Sequence, residues 1–245
     1  MEIDKNKQVF EIPLFPLHTV LFPHMPLQLH VFETRYKVMI ERCLQQGSPF
    51  GVVLIREGDE VGAPAVPFDV GCTAQILGAE RFEDGRMNLV VAGRYRFRLL
   101  EYTEADLPYL VGKAELLEDR PYDSRRIAPL TGKLAALFVR YLEMLATRSG
   151  EVLPPVQLPG DPVTLSFCAA SVLLQDAAEK QILLELTDTA QRIEHEILWL
   201  KGQMTLLEDI EKLNVEQGSE EKKELLKPIN PTDTDWQDFL KDSLN

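Results

Sequence analysis

In the first half of the chain, apolar positions recur every second residue or form short unbroken runs, and glycines and prolines cut those runs. Residues 9–15 read as a first strand, closed by Pro16. Leu27, Leu29 and Val31 alternate with Gln28 and His30, as in a half-buried strand reaching Phe32. Residues 50–55 are apolar throughout, which suits a strand buried on both faces. Residues 73–83 and 86–91 flank Asp84-Gly85, whose glycine supplies the positive φ that a hairpin turn needs. Gly93 interrupts the next apolar run and predicts a bulge or bend. Beyond it, Tyr95, Phe97 and Leu99 fall on one strand face, with Arg94, Arg96 and Arg98 on the other. Residues 109–117 are the last strand. One helix is inserted: Thr34 is its expected N-cap, Tyr36, Met39, Ile40, Cys43 and Leu44 follow at helical spacing, and Gly47 stops it.

After Glu118 the period changes. Leu130, Leu134, Leu137, Phe138, Tyr141 and Leu145 mark a helix ending near Gly150, and Pro154, Pro155, Pro159 and Gly160 mark a loop. Asp161-Pro162 reads as an N-cap and a first-turn proline, opening a helix that runs to about Leu174. A third, long helix is expected from about Ala178. Within it Leu186, Ala190, Ile193, Ile197, Leu200, Met204 and Leu207 step alternately by four and three, about three heptads with apolar or small residues at both seam positions. The predicted fold class is α+β: an N-terminal β pseudo-barrel with one inserted helix over 1–118, a helical bundle ending in a long last helix over 119–213, and an acidic, mobile tail over 214–245 holding Trp236, Phe239 and Leu240.

Charge narrows the partners. The 245 residues include 26 basic and 39 acidic ones, a formal charge of −13. A wrapped polyanion needs a basic surface, so nucleic-acid binding is not expected, and anionic membranes are disfavoured for the same reason. The charge is uneven. Residues 1–118 hold 12 basic and 17 acidic residues, and residues 208–245 hold 5 and 11. The longest apolar, uncharged stretch, between Asp161 and Asp176, is shorter than the ~20 residues of a membrane span, and the first seven residues lack the apolar core of a signal peptide. A cytoplasmic protein is expected. Cys43, Cys72 and Cys168 are scattered without a CxxC pair and read as core fillers.

Little in the chain points to catalysis. There is no phosphate-binding Gly-x4-Gly-Lys run, no Gly-x-Ser-x-Gly and no His-Glu-x-x-His. His18, His24 and His30 recur every six residues, but Pro23 and Pro26 break any strand that would align them on a metal. His195, beside Glu194 and Glu196, reads as a solvated helix residue. No catalytic residue, metal site or cofactor is assigned. Arg94, Arg96 and Arg98 are the candidate anion site, since guanidinium forks pair with carboxylate or phosphate; the alternative is a solvated strand face matched by acids such as Glu80 or Glu83. In residues 13–32, four prolines deny backbone donors, so large apolar side chains sit partly on turns. They either plug the bottom of the barrel or form an apolar binding surface, to which flexible Met25 is suited.

Here the sequence resembles the N-terminal, substrate-binding domain of the ATP-dependent Lon protease. The resemblance rests on Ile12-Pro13-Leu14-Phe15-Pro16-Leu17, Val20-Leu21-Phe22-Pro23-His24-Met25, Phe32-Glu33-Thr34-Arg35-Tyr36, Gly71-Cys72-Thr73-Ala74-Gln75-Ile76, Asp84-Gly85-Arg86 and Val91-Ala92-Gly93-Arg94-Tyr95-Arg96-Phe97, in that order. It extends to Lys180-Gln181-Ile182-Leu183-Leu184-Glu185-Leu186 and Arg192-Ile193. It implies a PUA-like pseudo-barrel followed by helices, and a non-catalytic module that binds unfolded or exposed protein segments or a protease or chaperone partner. A Lon chain carries its ATPase and protease further along; this chain ends at Asn245, so neither activity is expected of it. Phe15, Phe22, Met25, Phe32, Arg35 and Tyr36 are the candidate peptide-binding residues. The alternative is a structural adaptor that forms a homodimer through the 186–207 heptads.

Overall fold

The computed structural model describes residues 9–62, 65–103 and 107–217, the last seven as backbone. Of the expected 214–245 tail, residues 214–217 are helical, and residues 218–245, with Trp236, Phe239 and Leu240, lie outside the described residues. The elements are β1 (Phe10–Leu17), β2 (Pro26–Val31), α1 (Thr34–Gln46), β3 (Phe50–Glu57), β4 (Val66–Arg81), β5 (Met87–Thr103), β6 (Val111–Leu116), α2 (Ser124–Ser149), α3 (Pro162–Val172), α4 (Ala177–Glu185) and α5 (Thr189–Gln217). The fold is α+β, as expected.

Six strands form one sheet in the order β2-β5-β4-β3-β1-β6, and a further β5–β6 pairing closes five of them into a ring. The length of β5 makes this possible: residues 87–92 pair with β2, and residues 97–103 with β6. β2 stays outside the ring and, among the described strands, pairs with β5 alone, so no described strand covers its other edge. β1 runs through Pro16 to Leu17 rather than stopping there. Its first half pairs with β6 and its second with β3, so each half, with its one proline, has a ladder on one side only. A missing N–H is tolerated at such positions. The Asp84-Gly85 hairpin forms with a loop one residue longer than a two-residue turn: Phe82 N–H donates to Arg86 O, Gly85 N–H donates to Phe82 O, and Gly85 has φ 78°.

Two apolar clusters result. Ile12, Leu14, Val53, Phe97, Leu99, Leu110 and Ala114 form one. Phe97 occupies space left by absent side chains: a Cβ on Gly51 or Gly71 would stand 2.7 Å from its ring. The larger cluster holds Phe15, Leu29, Val31, Tyr36, Met39, Ile40, Phe50, Leu89 and Val91, and α1 seals it with its apolar face. Glu33, not Thr34, occupies the N-cap of α1, and Gly47 ends it in the left-handed conformation at φ 59°.

Gly93 sits at the expected bulge, where β5 gains a residue between the pairs Cys72–Arg96 and Ala74–Gly93. Its reason is close approach as well as bend. Gly93 N–H donates to Met25 O and His24 N–H donates to Gly93 O, both at 2.9 Å, so residues 22–25 press on it. A Cβ there would lie 2.0 Å from Phe22 O. Gly93→Ala is therefore expected to cost about 2–3 kcal/mol, read as a lowered urea midpoint. An unchanged midpoint would mean that the turn can retreat.

The described chain makes two compact units. One combines the sheet, up to Asp119, with Gln175–Thr187; the other combines Arg120–Leu174 with the residues from Asp188 onward. This differs from a contiguous division at residue 118, because α4 returns to the sheet unit. Gln181 Nε2 donates to Val70 O at 3.0 Å, and Arg96 Nη1 donates to Leu184 O and Leu186 O at 2.7 Å each. The expected long third helix is thus two, broken at residues 186–188, with Asp188 capping α5 through the Gln191 N–H.

In the helical unit, α5 packs on α2 and α3. Arg126 meets Glu194 and Arg140 meets Glu208. Both pairs span the same sequence offset, so α2 and α5 run parallel. The seam residues Ala190, Ile193, Ile197, Leu200, Met204 and Leu207 are all buried. The heptad stripe, the seam of the alternative homodimer reading, is used inside one chain, and Leu186 lies in the break.

Candidate functional site

The free edge of β2 borders a cleft of about 140 Å³, lined by Phe15, Leu17, residues 28–33, Tyr36, Glu60 and Val61. Its floor is aromatic. The Phe15 and Tyr36 rings stack with centroids 4.1 Å apart, and both side chains belong to the core. Burial, partly offset by the Arg35 charge, pushes the Tyr36 phenol up to about 12, so it stays neutral in ordinary buffers. At the rim, Phe32 is 48% exposed and Val61 56%. His30 lies between Phe32 and Phe82, with ring centroids at 6.1 and 6.4 Å, and its Nδ1 is 2.8 Å from Asn88 Oδ1.

Polar groups fix the far wall. Arg35 Nη2 donates to Glu60 O at 3.0 Å and lies 3.2 Å from Glu33 Oε2, with its guanidinium 4.6 Å above the Tyr36 ring. Gly62 N–H donates to Glu33 Oε2, and His18 N–H donates to the Glu60 carboxylate. These contacts tie the loop after β3 to the start of α1 and hold the cleft open between them. A strand edge with no described strand partner beside an apolar trough is suited to an extended peptide: the edge can bond its main chain, and the trough can take alternate side chains.

The structure gathers Phe15, Phe32 and Tyr36 around this cleft; Arg35 does not line it but bonds the lining residues Glu33 and Glu60. Phe22 is fully buried beneath the turn against Gly93, and half-buried Met25 packs on the larger core cluster. Phe15, Phe22 and Tyr36 thus fill the core, and Phe32 is the large apolar side chain of the set that reaches solvent. Sequence reading missed Glu33, Glu60 and Val61, which carry no local pattern and meet only through the fold. The arginine stripe does not stand together. Arg94 and Arg98 are exposed, but Arg96 is buried, bonded to the two α4-end carbonyls and paired with Asp119 at 3.2 Å. Tyr95 leaves the expected core face at the bulge, where its N–H takes Thr73 Oγ1 as acceptor at 2.9 Å.

A second polar cluster escaped the sequence reading. In the helical unit Arg192, Ser166 and Glu196 are all fully buried. Arg192 Nε donates to Ser166 Oγ at 2.7 Å, and Ser166 Oγ donates to Glu196 Oε1 at 2.6 Å. The guanidinium lies 4.1 Å over the Phe167 ring. Glu196 is therefore no solvated neighbour of His195. Burial raises its carboxyl to about 8, against the opposing pull of the Ser166 hydrogen bond and the Arg192 charge. The arrangement is closed to solvent and reads as a packing device. Among the described residues, no group of His, Cys, Asp and Glu side chains is placed to hold a metal ion. No described helix is long and apolar enough to cross a membrane.

Comparison with known proteins places the chain. It is 27% identical to the Lon protease of Syntrophus aciditrophicus over 219 residues, covering 84% of this chain and 27% of that protein. It is 28% identical to the Lon protease of Escherichia coli strain K12 over 211 residues, covering 85% and 26%. The chain thus spans about a quarter of the length of these relatives. Among solved structures, the Lon N-terminal domain protein from Xanthomonas campestris superposes with a TM-score of 0.59 at 28% identity, covering 78% of this chain and 98% of that one. The N-terminal domain of the Mycobacterium avium complex Lon protease gives 0.58 at 17% identity, a likeness of fold. The model of the ATP-dependent protease La (LON) substrate-binding domain matches residues 11–202, most of the chain, and the chain therefore belongs to that family.

Proposed function

We propose that the protein is a non-catalytic recognition module that holds exposed or unfolded apolar protein segments, acting in the cytoplasm on clients or beside a protease or chaperone partner. The observation that carries this reading is the cleft itself: half-exposed Phe32 stands over an aromatic floor beside the unpaired edge of β2. An incoming segment adds main-chain bonds to that edge and sets one apolar side chain into the trough. Membership of a substrate-binding family supports the same reading. Self-assembly through the 186–207 heptads is the weaker reading, because that seam is already covered by α2 and α3. Phe32→Ser removes the rim aromatic at an exposed position. It is expected to weaken binding of a fluorescent apolar peptide about tenfold, as loss of an aromatic anchor does, with no change in thermal midpoint. Equal binding by wild type and variant would remove the cleft from the proposal.

A further inference from the structure

Resting on that reading of the cleft, we infer that it selects extended segments in which an apolar residue stands two positions from a lysine or arginine. Among the described lining residues the charged ones are Glu33 and Glu60, both carboxylates. Glu33 is already met by Arg35. Glu60 is half-buried; its carboxylate accepts the His18 backbone N–H, and no described cation pairs with it. A carboxylate so placed, beside Val61 and within a trough of aromatic rings, matches a side chain with an apolar stem and a cationic head. Arg35 displays the compatibility within the molecule: its guanidinium rests on the Tyr36 ring while bonding to Glu33 and to Glu60 O. An extended segment presents residues i and i+2 to the same side, so one apolar and one basic side chain share the cleft. The net charge of −13 favours the approach of a basic segment over an acidic one.

The test uses the full chain and three labelled peptides, identical except for Lys, Gln or Glu two residues from a central Leu, with binding read by anisotropy at low salt. The Lys peptide is expected to bind about tenfold tighter than the Gln peptide, and the Glu peptide weakest. Glu60→Gln keeps an acceptor for His18 N–H. It should cut the Lys advantage over the Gln peptide, measured on the same variant, to about twofold. Equal binding of Lys and Gln peptides by wild type overturns the selectivity, as does a Lys advantage that survives Glu60→Gln. In either case, Gln-peptide binding that Phe32→Ser weakens leaves the segment-binding reading intact. If none of the three peptides binds, both fall.

Discussion

Arg96→Met should lower the stability of the sheet unit by about 3–5 kcal/mol, the scale of breaking a buried ion pair from one side. The side chain is 2% exposed; its Nη1 donates to Leu184 O and Leu186 O, and its Nη2 meets the Asp119 carboxylate. Methionine restores much of the volume and none of the donors, so two carbonyls and a largely buried carboxylate lose their partner. Lysine keeps the charge but cannot fork between acceptors, and Arg96→Lys should recover about half the loss. Urea titration gives the magnitude, and hydrogen exchange locates it: amides of α4 should lose protection before those of β3. A wild-type midpoint for Arg96→Met would mean that α4 is held by its apolar contacts alone.

The same residue shows where reading the sequence stops. Alternation puts Arg94, Arg96 and Arg98 on one face of β5, but whether Arg96 meets water depends on helix-end carbonyls 88 and 90 residues away in the chain. Features set by neighbouring residues were legible: the Asp84-Gly85 hairpin, the bulge at Gly93, the left-handed caps at Gly47 and Gly150, and Asp161 capping α3 through the Thr164 N–H. The break between α4 and α5 was masked because Leu186 and Ala190 keep the seam spacing across it. Its local signal was present, however: Asp188 precedes Gln191 by three, the spacing of a helix start, as Asp176 precedes Glu179 at the start of α4. The cleft was half legible. Phe32 and Tyr36 belong to a single stretch, but Glu60 and Val61 arrive from another strand end.

Glu196 should make the stability of the helical unit depend on pH. Its ordinary value is 4.5, and burial raises it to about 8 in the folded chain. The folded state therefore keeps a proton that the unfolded chain releases. The stabilisation is full below about pH 4.5 and is lost as pH rises through 8, with a slope of up to about 1.4 kcal/mol per pH unit for one proton. The groups facing it are Arg192, Ser166 and Cys168, whose thiol burial pushes up to about 12, leaving Glu196 as the titrating member. Glu196→Gln keeps an acceptor for the Ser166 hydroxyl and has no proton to lose. Thermal midpoints of variant and wild type should differ least near pH 5 and diverge towards pH 8, with the variant the more stable. A difference constant with pH would mean that Glu196 is ionised throughout.

The return of α4 to the sheet unit has a consequence for how the chain is made. All six strands are translated by Leu116, but the carbonyls that receive Arg96 lie roughly 70 residues later. At about 5–20 residues per second, a ribosome needs on the order of 3–14 seconds to deliver them. During that interval the nascent barrel holds a charged group that lacks the Leu184 and Leu186 carbonyls, and α2 and α3 emerge in between. Vectorial synthesis thus gives the helical segment time to begin folding before the sheet unit is locked, and leaves the last contacts of that unit to a segment synthesised after most of the chain.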